Sequence, residues 1–309
     1  MAKKKKFTPL RSAIHIDTLL SNVSVMYRNK SYVAMEIFPE VNVKKSSDLY
    51  RVYDRNFRVP ETLRANKGVA REFSFDVSSA SYNLENHALK DYVSQDDEEN
   101  YDLASLEVET TEHLTDAILR RHEVSVASLI TTTSWSLNLS LTSTNAWNAT
   151  TTLDVVTHFD TATAVMLQNA GMKPNISAMG RFALNAAKNN GQILERTKYT
   201  SDEVTEMMLA RLFGLDKIVV SDQVQDTANE GESNGANIVP LYNDRVFVGY
   251  RPASPGPRVP SAGYTFRKSS PMVKKWFDDD RDSTAIEVGM KYQAKVVASL
   301  CGFIIADVY

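Results

Sequence analysis

Two spacings of apolar residues alternate along the chain, every second position and every third or fourth, and the switches between them mark its elements. Residues 1 to about 45 hold neither spacing: a lysine run, Lys3 to Lys6, precedes a short apolar stretch from Ile14 to Leu20 and then MYRNKSYVAMEIFPEVNVKK. This part reads either as a loose terminus leading into an edge strand or as an extended arm that orders against another molecule. From Tyr50 to about Val93 the spacing is two. Tyr53, Arg55, Phe57 and Val59 share one side of an extended segment, and Phe73, Phe75 and Val77 alternate further on. Between them PETLRANKG supplies a Pro60 stop and a Gly68 break, which predicts a long hairpin with a wide basic tip. Two strands have no second layer and are marginally stable alone, so the hairpin must lie on its own domain or on a neighbour.

QDDEEN, Gln95 to Asn100, predicts a solvated acidic turn, and EVETTEHLTDAILRRHEVSVASLIT predicts the longest helix. Glu109 and Glu112 suit the positive end of its dipole, and Asp116 and Arg120 form an i,i+4 pair. Its apolar stripe runs from Leu114, Ala117 and Ile118 to Val124, Val126, Ala127 and Leu129, so the far end should be the more buried. About 20 residues would make a rod of roughly 30 Å.

Further on, LDVVTHFDTATAVMLQNAG predicts a helix ending at Gly171, PNISAMG a strand, RFALNAAKNNG a short helix stopped by Asn-Gly, and SDEVTEMMLARLFGLD a helix capped by Ser201 and followed by Gly214. DKIVVSD lacks alternation and so predicts a strand covered on both faces. IVPLYNDRVFVGY predicts a strand, and the terminal AIEVGMKYQAKVVASLCGFIIADVY two strands with a bend. DTANEGESNGAN and RPASPGPRVPSAG are loops. The chain shows helices and strands and no internal repeat.

Composition narrows the function. With 43% hydrophobic and 24% charged residues the chain has apolar material for one large or two medium cores. No run approaches the roughly 20 apolar residues of a membrane span, and MAKKKKFTPL has no apolar stretch behind its lysines, so neither a membrane partner nor a secretory signal is expected. Cys301 is the single cysteine, which removes internal disulfides and multi-cysteine metal sites. Thirty-five basic against 38 acidic side chains, a net charge of -3, argue against a chain that coats nucleic acid with its whole surface.

Candidate chemistry is sparse. GESNG, Gly231 to Gly235, matches G-x-S-x-G with Ser233 as the serine, but neither a strand before it nor a helix after it is predicted, and a loop tip explains the same letters. His15, His87, His113, His122 and His158 are scattered, and the nine-residue gap from His113 to His122 is not that of a helical zinc pair, so packed or solvated histidines are expected. Asp278, Asp279, Asp280 and Asp282 lack the glycine and distal glutamate of a calcium loop and read as a solvated turn. No phosphate-cradling glycine motif is present, so no cofactor is expected.

From Trp147 onward the order of phrases is informative: GMKPNISAMGRFALNAAKNNGQILERTKYT, then EVTEMMLARLFGLDKIVVSD, then LYNDRVFVGYRP. Taken with the upstream arm, hairpin and long helix ending LRRHEVSVASLI, nearly the whole chain resembles the major capsid proteins of tailed bacteriophages, of the Hong Kong 97-type fold. The resemblance implies an α+β fold with an N-terminal arm (1–45), an E-loop hairpin (46–95), a P-domain with a spine helix (96–165), an A-domain (166–267) and C-terminal strands returning to the P-domain (268–309). It implies a non-enzymatic shell subunit, self-assembling as hexamers and pentamers around a double-stranded DNA genome that it does not read. Portal, scaffolding and cement proteins are the further partners, and the location is the virion shell, assembled in the bacterial cytoplasm. An encapsulin-like compartment around a cargo enzyme is the alternative within this architecture, and an α/β hydrolase using Ser233 the alternative outside it.

Some relatives in that family weld their shells through a hairpin lysine and a later asparagine. Lys67 occupies a suitable tip, but no asparagine follows Asn243, so a non-covalent shell is expected. Nothing before the arm resembles a cleavable scaffold segment, so any scaffold should be a separate protein. Charge suggests how copies meet. Arg55, Arg58, Arg64, Lys67 and Arg71 make the hairpin basic, while Asp96, Asp97, Glu98 and Glu99, with Asp278, Asp279 and Asp280, are acidic. The basic hairpin is expected to dock on the acidic patch of a neighbour, with Phe57, Phe73 and Phe75 supplying apolar burial.

Overall fold

The computed structural model describes residues 15–26, 32–53, 62–64, 66–70, 72, 77–94, 96, 105–132, 135–142, 146–148, 154–198, 204–229, 237–256 and 259–309. In chain order the first elements are β1 (His15–Ile16), α1 (Thr18–Met26), α2 (Ala34–Ile37), β2 (Glu40–Asn42), β3 (Ser47–Tyr53), β4 (Val77–Asn83), β5 (Glu85–Ser94) and α3 (Leu106–Thr131). They are followed by β6 (Asn138–Ser140), α4 (Val155–Ala170), β7 (Ile176–Gly180), α5 (Arg181–Lys188), α6 (Gly191–Thr197) and α7 (Glu206–Leu212). The rest are strands: β8 (Lys217–Ser221), β9 (Val224–Asp226), β10 (Ile238–Pro240), β11 (Val246–Gly249), β12 (Gly263–Arg267), β13 (Met272–Asp278), β14 (Ser283–Val296) and β15 (Gly302–Ala306).

A five-stranded sheet, in the order β6-β15-β11-β7-β8, is covered on both faces, as the unbroken apolar runs of its strands require. Side chains alternate between the two covers. Met179, Val246, Val248, Phe303, Ile305 and Ile218 point into a core closed by α4 to α7. Ile176, Ala178, Phe247, Ile304 and Val219 point the other way, into a core shared with Phe38, Trp135 and the last turns of α3. Within the first core Phe159 stacks on Phe213 at 4.0 Å and 7°. Phe159 is fully buried, and Phe159→Ala should cost about 3–5 kcal/mol. A denaturant titration of the unassembled subunit checks this; a loss under about 1 kcal/mol would show that the site collapses around the deletion.

The helices start and stop on specific side chains. Asp154 accepts from Val156 N (3.1 Å) to open α4, which Gly171 closes in the left-handed region at φ 64°. Asn190 accepts from Gln192 N (3.1 Å), so the Asn-Gly that stops α5 also starts α6. Thr205, not Ser201, caps α7 by accepting from Met208 N (3.3 Å), because the helix begins four residues later than its polar lead suggests.

The second sheet is long and open, in the order β1-β13-β14-β12-β2, with β5 also on β14. One face carries Val273, Ile286, Val288, Met290 and Tyr292 against Ile118 and Leu119 of α3 and Leu20 of α1. At 26 residues α3 is roughly 40 Å long, so it reaches from this sheet to the five-stranded one. Its buried stripe differs from the expected one. It runs through Thr111, Thr115, Ile118, Leu119, His122, Glu123, Val126, Ala127 and Ile130, while Ala117 is exposed. Threonines fill the first turns because α1 packs there closely, and Ser24 shares a 2.8 Å hydrogen bond with Thr115. Asp116 and Arg120 do pair, at 3.9 Å. Arg245 donates to Thr131 O and satisfies a carbonyl of the last turn.

Residues 15–26 and 32–45 lie on the chain's own body. Asp17 caps α1 by accepting from Leu19 N and Leu20 N (2.9 and 3.0 Å), β1 edges the long sheet on β13, and β2 edges it in parallel on β12. Arg267 donates to Glu40 (2.7 Å) and fixes that edge. For residues 15–26 and 32–45 the structure gives the edge-strand placement. Two further corrections concern strands. IVPLYNDRVFVGY divides into β10 and β11 at the Asn243–Arg245 turn, and β13 was not expected, because Lys274 and Lys275 interrupt its alternation.

Candidate inter-subunit interface

β3 and β4 form a separate two-stranded ribbon, registered from Ser47↔Asn83 at its base to Tyr53↔Val77. The base is anchored. Tyr82 stacks on Phe266 of β12 at 4.8 Å and Tyr50 meets the same ring at 5.4 Å. Asn83 N donates to Gln293 Oε1 (2.9 Å), Lys295 donates to Ser81 O, and Leu84 N donates to Ser46 O (2.8 Å). Burial raises the phenol pKa of both Tyr50 and Tyr82, as expected of rings sealed under the ribbon.

Beyond Tyr53 and Val77 the described residues are open to solvent: Leu63 is 88% and Val69 96% exposed. Arg64 and Lys67 are exposed as well. Lys67 takes φ 60° in a turn that Arg64 Nε closes by donating to Gly68 O (2.5 Å). The ribbon therefore has a packed base and a projecting basic tip. The strands of this ribbon account for 47–53 and 77–83 of the 46–95 segment, while β5 belongs to the long sheet. Arg55, Phe57, Arg58, Arg71, Phe73 and Phe75 lie outside the described residues.

The acidic residues cluster at one end of the long sheet. Asp278 to Asp282 make the turn between β13 and β14, where Arg281 N donates to Asp278 O (3.2 Å) and Asp282 sits at φ 44°. Asp279 and Asp280 are exposed and Asp278 is half-buried. Because Ser94 at the end of β5 is registered on Ser283, Asp96 emerges beside this turn. The guanidinium of Arg281 lies 4.3 Å over the Tyr92 ring and holds the turn against β5. Asp97, Glu98 and Glu99 lie outside the described residues.

Register gives the separation of the two patches. β5 runs along β14 from Glu85↔Tyr292 to Ser94↔Ser283, a span of roughly 30 Å at 3.3 Å per residue. The ribbon joins at the Glu85 end. Leu84 alone separates β4 from β5, too short a link for a hairpin reversal, so the ribbon base and the acidic turn lie at opposite ends of β5. Within one subunit the base of the ribbon and the acidic turn are therefore separated by the length of β5.

Among the described residues the remaining candidates do not gather into a catalytic site. His122 is buried, hydrogen-bonded through Nε2 to Thr265 Oγ1 (3.0 Å), and pushed down to about 4 by burial, with Arg267 and His87 adding to the shift. His158 accepts at Nδ1 from Trp147 Nε1 (3.0 Å), and His87 stacks on Tyr292 at 4.3 Å. These are packed histidines, as expected. Among the described residues no His, Cys, Asp or Glu triplet is placed to hold a metal, and no helix is long and apolar enough to cross a membrane. Ser233 lies outside the described residues. The anchoring residues Tyr50, Tyr82 and Phe266 went unnoticed in the sequence, although Tyr82 and Leu84 share a face at a spacing of two and are both buried.

No protein-family model matches the chain. The major capsid protein of Burkholderia phage BcepMu is 27% identical over 278 residues, covering 86% of this chain and 88% of its own length. That of Pseudomonas phage JBD67 is 28% identical over 248 residues, covering 75% and 78%. Among solved structures, a phage-related protein from Bordetella bronchiseptica RB50 superposes with a TM-score of 0.76 at 21% identity, covering 95% of this chain and 97% of its own. The capsid of cyanophage P-SCSP1u gives 0.63 at 14% identity, covering 91% and 89%. The holo-SrpI encapsulin of Synechococcus elongatus PCC 7942 gives 0.56 at 12%, covering 92% and 90%.

Proposed function

We propose that this chain, which has the Hong Kong 97-type fold and phage major capsid proteins as its sequence relatives, is the subunit of a phage capsid shell. Its role is structural and it is not an enzyme. The observation that carries the reading is the placement of the two charged patches. A surface that cannot satisfy its partner within one molecule must meet it in another, and a contact between different patches on identical copies is head-to-tail, closing into rings when the rotation permits.

In this reading hexamers and pentamers are the rings, the ribbon tip of each copy docks on the Asp278–Asp280 turn and Asp96 of the next, and the masses of contact reinforce one another through local concentration. Residues 1–45 serve as the arm, the β3–β4 ribbon within 46–95 as the E-loop, α3 and the long sheet as the P-domain, and the five-stranded sheet with α4 to α7, including β15 of the C-terminal segment, as the A-domain. The shell encloses double-stranded DNA without reading its sequence, works with portal, scaffolding and cement proteins, and assembles in the host cytoplasm. The encapsulin shares the fold, but the sequence relatives are phage major capsid proteins, which favours a genome over a cargo enzyme as the content. Electron microscopy of the expressed chain tests the reading: regular hollow particles are expected, and a compact monomer at high concentration would end it.

The same reading makes the shell non-covalent. The chain after Asn243 contains no asparagine, and Asn243 itself accepts from the Tyr309 hydroxyl (2.5 Å). Purified particles boiled in detergent should therefore run as a single band of 34.5 kDa. A ladder of linked subunits would reject this.

A further inference from the structure

Glu123 is a buried carboxylic acid outside the interface. It sits midway along α3 with 0% exposure, where α3, the start of α2 and the segment before β11 meet. Its Oε2 accepts from both Val33 N (3.0 Å) and Ala34 N (2.7 Å), satisfying the N–H groups that open α2. Its Oε1 has no hydrogen-bond partner among the described residues, and neither has the buried hydroxyl of Tyr242, whose charge environment Glu123 shapes. Other charges surround the junction without neutralising it. Glu36, Glu40, Arg251, Arg267, Tyr32 and His122 line the adjoining cavity of about 570 Å³, with Glu36 paired to Lys217 (2.6 Å) and Glu40 to Arg267 (2.7 Å).

We propose that Glu123 is a proton-operated latch: protonated, it holds α2 against α3; ionised, it favours an opening in which α2 lifts away and the carboxylate reaches water. The geometry sets both halves. α2 is a single turn of four residues, and two of its backbone contacts with α3 run through one oxygen. An ionised carboxylate there has no paired cation, and one of its oxygens has no protein partner among the described residues, which is the condition under which buried charges are costly.

Burial pushes the Glu123 carboxyl up to about 7, against the pull of the two N–H groups, whereas in an opened, hydrated state it returns to its ordinary 4.5. The closed state thus binds the proton more tightly. Opening becomes more favourable by up to tenfold per pH unit between those values and levels off above pH 7. Tyr242, Tyr32 and His122 stay neutral across the upper part of that window, since burial raises the tyrosines and lowers the histidine to about 4. The latch is a property of the single chain and does not depend on the shell reading.

Hydrogen exchange of the purified full-length chain at pH 5.5 and 7.5, corrected for chemical exchange, reads the opening directly. Protection of the amides from Ala34 to Phe38 should fall roughly twentyfold at the higher pH. In Glu123→Gln the amide oxygen accepts the same N–H groups with no proton to lose, so the two pH values should agree. Unchanged protection in the parent chain, or a Glu123→Gln variant that keeps the drop, overturns the latch. The infrared band of a protonated buried carboxyl, present at pH 6 and lost by pH 8.5 in the parent chain, is expected independently of any variant; its absence at pH 6 also overturns it.

Discussion

Particles should fail to form when Arg64 and Lys67 are both replaced by glutamate, while the subunit remains folded. Both side chains are exposed on the ribbon tip, roughly 30 Å or more from the acidic turn of their own chain, so their removal costs the monomer little, within about 0.5 kcal/mol. Assembly responds differently. An exposed ion pair is worth only about 0.2–1 kcal/mol, but reversal replaces attraction with repulsion at every copy of a repeated contact. The effect compounds around each ring. Velocity sedimentation and negative-stain microscopy should show free subunits with an unchanged melting temperature. Reversing Asp279 and Asp280 to lysine in the same chain should restore particles, and raised salt should weaken the parent contact, since the groups are separated from water by no cover. Normal particle yield from the double variant would eliminate this docking mode.

How far the chain could be read from its letters depends on which force placed each residue. Strands β7 and β8 of the five-stranded sheet were legible in PNISAMG and DKIVVSD, whose alternate residues, such as Ile218 and Val219, enter opposite cores, whereas β6 was not foreseen in its Thr/Ser/Asn-rich surroundings. A hairpin was expected between Tyr50 and about Val93; its described strands are 47–53 and 77–83, β5 belongs to the long sheet, and most of the residues that carried the expectation lie outside the described ones. β13 was not legible, since Lys274 and Lys275 stand within its alternation, Lys274 paired with Glu287 (2.5 Å) and Lys275 with Glu107. Glu123 was the larger omission. Within LRRHE it looks like one more solvated charge, yet the spacing Ile118–Leu119, His122–Glu123, Val126–Ala127 places it on the buried stripe, and only the distant α2 explains why a carboxylate is tolerated there. The charged patches were nameable in advance, but their separation was not, because it follows from the Ser94↔Ser283 register and the one-residue link at Leu84.

The largest loss of stability should come from adding one methyl group at Gly180. This residue ends β7 and opens α5, at φ -79°, a conformation any residue adopts, so its glycine is required by space and not by backbone angle. A Cβ built there falls 1.9 Å from the carbonyl oxygen of Tyr242. That oxygen belongs to backbone, which cannot rotate aside as a side chain would. Relief needs a shift of roughly 1 Å or more in the segment leading into β11, the central strand registered on β7 at Phe247↔Ala178. The same shift would move the fully buried Tyr242 ring against α3, where Val126, Ala127 and Ile130 share its core. Close-packed interiors transmit such a displacement, so Gly180→Ala should cost more than about 3 kcal/mol and leave little soluble subunit, given the narrow margin of most folds. Gly289→Ala supplies the contrast. Its Cβ would meet nothing nearer than Ala88 Cβ at 3.8 Å, in the middle of β14, and the change should be neutral or stabilising by about 0.5 kcal/mol. Denaturation midpoints of the two variants decide the matter: similar midpoints would mean that the Tyr242 carbonyl does not hold the close approach described here.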